Sequence, residues 1–173
     1  MQSRIDLGSD GWLYYATDRG SPTGTHDGNG YLGDWVLRTH PETSETKIVC
    51  AFPVAKHCLP ASILDSKRMI YYGGTTPGKD ASQKTNMFFA LDVKTGKLIK
   101  VAEEGFDRTV IFDPESGRLF WDGKCYDPET REITASRAPH VRSATRATAG
   151  GMVYGTSHWE DRLWGFNVKT GEL

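Results

Sequence analysis

Imidazole is the side chain best suited to acid–base, anion-binding or metal-binding chemistry near neutral pH, and this chain carries five: His26, His40, His57, His140 and His158. They are scattered and form no local ligand motif, so any joint role depends on the fold gathering them. Charged and aromatic residues flank them: Asp27 follows His26, Lys56 precedes His57, Arg142 follows closely on His140, and Trp159, Glu160 and Asp161 follow His158. Arg108 stands alone. Such a mixture suits a small anionic or carbohydrate ligand, because guanidinium forks onto carboxylates and aromatic rings stack on sugar faces. His57, His140 and His158 are also the candidates for a metal, neutral imidazole being the commonest transition-metal ligand. The competing reading is solvated loop surface, since polar residues populate loops everywhere.

Other patterns fall away on context. Gly28-Asn29-Gly30-Tyr31-Leu32-Gly33 matches Gly-x-Gly-x-x-Gly, yet Asp34-Trp35-Val36-Leu37 after it reads as a strand, and a dinucleotide needs a helix N-terminus there. Asp27, Asn29 and Asp34 offer oxygens to calcium without the twelve-residue loop and its terminal Glu. Three cysteines, Cys50, Cys58 and Cys125, are too few and odd in number for a disulfide framework. They read as buried or indifferent thiols, with a Cys50–Cys58 bridge as the alternative in an oxidising compartment. Glu103-Glu104 and Glu160-Asp161 read as solvated turns, and no nucleophile elbow, Cys-His signature or zinc motif is present.

Composition narrows the class further. With 173 residues, 38% hydrophobic, 25% charged and a formal net charge of -1, the chain predicts one domain and neither disorder nor a nucleic-acid surface. No apolar run is long enough to span a bilayer, and Met1-Gln2-Ser3-Arg4 lacks the apolar stretch of a secretion signal. The expected location is cytoplasmic, or periplasmic or secreted should a signal peptide precede this segment.

The elements that must position these residues announce themselves by a recurring turn. It reads His40-Pro41-Glu42-Thr43, Asp92-Val93-Lys94-Thr95-Gly96, Asp127-Pro128-Glu129-Thr130 and Asn167-Val168-Lys169-Thr170-Gly171, with first positions 52, 35 and 40 residues apart. Asp or Asn bonds backbone groups two residues on, Pro presets φ and Gly supplies positive φ. Before each turn lies an aromatic-rich run: 34–38, 87–91, 124–126 and 162–166. A second series (11–17, 68–74, 118–123, 151–156) lies upstream, and shorter runs complete a four-strand unit with first strands near 5–7, 61–64, 109–112 and 141–148 and fourth strands near 47–50, 97–101 and 131–134. The period brackets the roughly 40–50 residues of a four-stranded propeller blade.

The chain is therefore expected to be all-β: a partial β-propeller of four consecutive four-stranded antiparallel blades, the last lacking its outer strand, with repeats at about 4–53, 58–103, 106–136 and 140–173 in a single domain spanning 1–173. An open fan would expose two apolar faces, so the expected partners are the remaining blades of a larger ring, or copies of itself. In this architecture the loops from second to third strand and from fourth to first open on one end. That rule assigns His26, Lys56, His57, Arg108, His140, Arg142, His158 and Trp159 to one rim, and His40 to the other.

Met87-Phe88-Phe89-Ala90-Leu91-Asp92-Val93-Lys94-Thr95-Gly96-Lys97-Leu98 and Leu163-Trp164-Gly165-Phe166-Asn167-Val168-Lys169-Thr170-Gly171-Glu172-Leu173 resemble the repeat of quinoprotein-like propellers, which include pyrroloquinoline-quinone dehydrogenases and many non-enzymatic relatives. The overall texture is also similar to propeller proteins of environmental bacteria. The resemblance implies a blade fold; the tryptophan that follows the turn in the quinone-enzyme repeat is here replaced by Ile99-Lys100. The expected function is a ligand- or partner-binding scaffold without a catalytic motif and without an identified cofactor. The alternative is a carbohydrate-active enzyme, either like the oligogalacturonate lyases that hold a metal on rim histidines or like a quinoprotein sugar dehydrogenase.

Overall fold

Aromatic and β-branched runs separated by Asp, Asn, Pro and Gly turns give fifteen β-strands and no helix among the described residues. The structure is a computed structural model that describes residues 4–18, 30–157 and 162–173. In chain order the strands are β1 (Asp6–Leu7), β2 (Leu13–Ala16), β3 (Trp35–Thr39), β4 (Thr46–Ala51), β5 (His57–Asp65), β6 (Ile70–Pro77), β7 (Met87–Asp92), β8 (Lys97–Glu103), β9 (Ile111–Phe112), β10 (Leu119–Trp121), β11 (Lys124–Asp127), β12 (Glu132–Ala135), β13 (Ser143–Ala144), β14 (Met152–Thr156) and β15 (Leu163–Asn167). They form four separate antiparallel meanders, β1–β4, β5–β8, β9–β12 and β13–β15, in which each strand pairs with the next. The strand grouping of the sequence pattern is thus present. Its bounds shift where side chains favour other pairings. β5 begins at His57 rather than Ala61, and the run expected over 141–148 contracts to Ser143–Ala144, where Thr145 and Thr148 instead make single backbone bonds to Tyr154 and Met152.

The hairpin turns share one device. In six places the N–H of the fifth residue donates to the carbonyl of the first: Ser44 to His40 (2.9 Å), Met69 to Asp65 (2.7 Å), and Gly96, Gly117, Arg131 and Gly171 to Asp92, Asp113, Asp127 and Asn167 (2.8 Å each). Each fifth residue is left-handed, with φ from 58° to 79°. In all six the first side chain accepts from the turn's own backbone, as Asp92 Oδ1 does from Lys94 N at 2.8 Å, Asn167 Oδ1 from Lys169 N at 2.9 Å and, more weakly, His40 Nδ1 from Thr43 N at 3.4 Å. A turn capped in this way fixes hairpin register, and so decides which side chains face the core.

Gly96→Ala tests the device. At φ 70° a Cβ there pays the left-handed cost of roughly 1–2 kcal/mol and lies 2.9 Å from the Val49 carbonyl. At Gly171 (φ 73°) the added Cβ meets nothing. Urea denaturation is expected to show Gly96→Ala losing more stability than Gly171→Ala, and the reverse order would contradict this account.

The strands gather into two compact units, Met1–Asp107 and Arg108–Leu173. In the first, Tyr14, Ala16 and Val36 from one sheet pack with Leu64, Tyr71, Phe89 and Leu91 from the other, and Leu64 N donates to Asp6 Oδ2 at 3.0 Å across the pair. β7 is apolar without alternation, and Met87 to Leu91 are all buried, as a strand covered on both faces requires. In the second unit Ile111 and Phe120 pack with Val153, Trp164, Phe166 and Val168, and the Phe120 and Phe166 rings meet edge-on at 5.2 Å. Each buried aromatic contributes roughly 1.5–3 kcal/mol of transfer free energy, so these paired inner faces dominate the stability of both units.

Candidate functional site

In each unit the loop between second and third strands is laced to the connection leaving the fourth. In the first unit Asp34 N donates to the His57 carbonyl (3.1 Å), Phe52 N to the Asp34 carbonyl (3.1 Å) and Lys56 N to the Leu32 carbonyl (2.8 Å). Asp34 is 4% exposed, and its carboxylate accepts from Leu59 N at 2.8 Å. A buried carboxylate that accepts backbone N–H groups holds a loop in one geometry.

Against this lacing lies a pocket of about 440 Å³ lined by Thr17, Gly30, Tyr31, Leu32, Gly33, Trp35 and Phe52. Trp35 and Phe52 meet edge-on at 6.1 Å. Leu32 is 56% and Trp35 39% exposed, so two large apolar side chains face solvent at its mouth. The Tyr31 hydroxyl donates to the His57 carbonyl at 3.0 Å. Burial, with Asp34 and Cys58 beside it, pushes that hydroxyl far above its ordinary pKa, so it stays protonated and donating.

His57 lies beneath the same wall. It is 1% exposed, with Nδ1 at 2.8 Å from Thr75 Oγ1 and Nε2 at 3.1 Å from the Gln83 carbonyl. Both ring nitrogens are engaged, and the ring ties β5 to β6 and to the loop before β7. Lys56 precedes it with φ 60°, half-buried, its carbonyl accepting from Gly78 N at 2.9 Å.

In the second unit Asp122 and Gly123, at φ 41° and 75°, make the two-residue turn between β10 and β11 that Asp-Gly favours. Asp122 N and Gly123 N donate to the carbonyls of Pro139 (3.2 Å) and Ala138 (2.8 Å), which brings in His140. His140 Nδ1 is 2.7 Å from Asp122 Oδ1, and Ser157 Oγ donates to the His140 carbonyl at 3.0 Å. A carboxylate only accepts, so the bonded Nδ1 is the nitrogen that carries the proton, and the His140 side chain is 40% exposed. Arg142 is exposed two residues on, and its carbonyl accepts from the Thr109 hydroxyl at 3.4 Å, next to half-buried Arg108.

Of the residues that sequence assigned to this end, Lys56 and His57 thus meet in the first unit, and Arg108, His140 and Arg142 belong to the second. His26, His158 and Trp159, with Asp27, Glu160 and Asp161, lie outside the described residues, as do Gly28 and Asn29 of the glycine motif. Among the described residues no three His, Cys, Asp or Glu side chains converge as a metal site. Cys50, Cys58 and Cys125 are not joined in disulfides. Sequence reasoning passed over Tyr31, Leu32, Trp35, Phe52 and Asp122. The readable signals were a large apolar residue at each border between loop and strand, and an Asp-Gly pair between two short strands.

No protein-family model matches the chain, and no curated protein matches it in sequence. A crystal structure described as the extracellular domain of a one-component system from B. thetaiotaomicron is similar, with TM-score 0.52 and 15% identity over 89% of this chain and 20% of that one. This chain therefore spans about a fifth of that chain's length, and at such identity the likeness is one of fold. No helix among the described residues is long and apolar enough to cross a membrane.

Proposed function

We propose that the chain is a β-propeller segment whose four meanders are successive blades, and that it binds a small ligand at the end where second-to-third loops meet the connections between sheets. Consecutive meanders that pair their inner faces two by two support the blade reading. The likeness to an extracellular domain of a one-component system supports a binding or sensing role over a catalytic one. The observation that carries the proposal is the pocket walled by Tyr31, Leu32, Trp35 and Phe52, apolar, preformed by backbone lacing and of the size of small-molecule sites.

In the same reading Arg108, Arg142 and the Asp122-held His140 are the second unit's contacts for polar or anionic groups, and Lys56 is the first unit's. His26, His158 and Trp159 are kept as proposed contacts on chain order alone, and His57 acts from beneath by holding the pocket wall. A thermal-shift screen of small molecules tests this. A true ligand at about 100 times its Kd adds roughly 2.7 kcal/mol, equivalent to about 5–10 °C in Tm for a chain of this size. The shift is expected to vanish in Trp35→Ala; a ligand whose shift survives that substitution binds elsewhere and removes the pocket from the proposal.

A further inference from the structure

Several polar groups around the first unit's pocket are turned toward the chain itself. The Thr17 hydroxyl oxygen accepts from Trp35 N at 2.8 Å, and Thr17 N donates to the Trp35 carbonyl at 2.9 Å. The Tyr31 hydroxyl is committed to the His57 carbonyl at 3.0 Å, the Leu32 carbonyl to Lys56 N at 2.8 Å, and Phe52 N to the Asp34 carbonyl at 3.1 Å. A sugar entering here would give up water from its hydroxyls and find the Tyr31 O–H and the N–H groups of Thr17, Trp35 and Phe52 already committed, which is costly for each hydroxyl left unpaired. What the wall offers instead is two aromatic rings at 6.1 Å and 62° to one another, with exposed Leu32 at the rim. A third ring completes such a corner, edge to one neighbour and face to the other.

We infer that this pocket takes a small aromatic molecule of the indole or phenyl class, and that sugars and sugar acids are not its ligands. The inference rests on the pocket being the binding site and names the class of ligand. The hydrophobic contribution comes from covering Leu32 and Trp35, whose apolar surface otherwise faces water.

The test titrates indole, D-glucose and D-galacturonate separately into the whole chain, following the Leu32 methyl and Trp35 indole N–H signals by NMR. Indole is expected to move both signals and to bind at least tenfold more tightly than either sugar. Leu32→Ser, at an exposed position whose loss leaves the core intact, is expected to weaken indole several-fold while signals remote from the pocket keep their positions. Sugar binding at these two signals that matches or exceeds indole overturns the aromatic inference and leaves the pocket standing. Movement by none of the three, or by indole only at residues elsewhere, overturns both the inference and the pocket.

Discussion

A methyl group added at Gly74 is expected to remove about 3 kcal/mol or more of stability, the upper range for overpacking and above it if backbone must move. For a chain of this length that is a fall in Tm of roughly 6–12 °C. Gly74 lies in β6 between Ala61 of β5 and Phe88 of β7. A Cβ there lands on the carbonyl and ring of Phe106, and one on Gly105 lands on the backbone of Met87 and Phe88. The two glycines mark where the chain leaving β8 crosses β6 and β7 at backbone contact, pinned by Gly105 N donating to the Asn86 carbonyl at 2.9 Å. Phe106, 2% exposed, then places its ring 6.4 Å from Phe88, which stacks on Tyr72 at 6.3 Å. Neither side of the contact can yield, since one is backbone and the other a buried ring. Gly150 is the control: its added Cβ meets only Thr148 Oγ1, at 3.9 Å. Urea unfolding of Gly74→Ala and Gly150→Ala should separate by at least 2 kcal/mol, and indistinguishable midpoints would refute the crossing as described.

That contact illustrates which parts of the molecule could be read from sequence. Strands were legible because their signal is local: Met87–Leu91 is an unbroken apolar run ending at an Asp turn, and Leu163–Phe166 repeats it before Asn167. The turns were legible because the capping side chain and the left-handed residue lie four positions apart, as in Asp92 and Gly96. The pairs that build the candidate site are long-range. Asp122 and His140 are 18 residues apart, and so are His57 and Thr75; Tyr31 and His57 are 26 apart. Nothing in the spacing of either partner announces the other. His57 shows the consequence most sharply, because a rule that sorts loops onto a rim cannot tell a residue facing outward from one that starts a strand and faces the core. The pocket was hidden for a related reason: Trp35 opens β3 and Phe52 follows the end of β4, so they are apart in the chain, and only the pairing of Trp35 with Ala51 brings them side by side.

His57→Leu is expected to cost about 2–4 kcal/mol at pH 7 and, with it, to abolish a specific part of the protein's sensitivity to acid. The Gln83 carbonyl can only accept, so Nε2 carries the proton; Nδ1 then accepts from the Thr75 hydroxyl, whose oxygen in turn accepts from Met87 N at 3.2 Å. The neutral ring satisfies every partner, and burial lowers the pKa from its ordinary value near 6.5. A lowered pKa means the unfolded chain binds the proton more readily. The stability from neutral His57 is therefore complete above pH 6.5 and is lost as pH falls through that value toward the folded pKa, at up to about 1.4 kcal/mol per pH unit. The His57 carbonyl accepts from the Tyr31 hydroxyl and Asp34 N of the pocket wall, and Lys56 and Cys58 flank the residue in the chain. Leucine leaves the buried Thr75 hydroxyl without its acceptor and takes the ring N–H from the Gln83 carbonyl, which sets the cost at neutral pH, but it has no proton to gain. Unfolding free energies of both proteins at pH 7 and pH 5 decide the matter: wild type should lose more over that interval than His57→Leu, and equal losses would show that His57 does not sense acid. Because the folded ring stays neutral until the pH falls to its lowered pKa, the pocket wall that the Tyr31 hydroxyl and Asp34 N build on the His57 carbonyl keeps its geometry through the window in which stability falls.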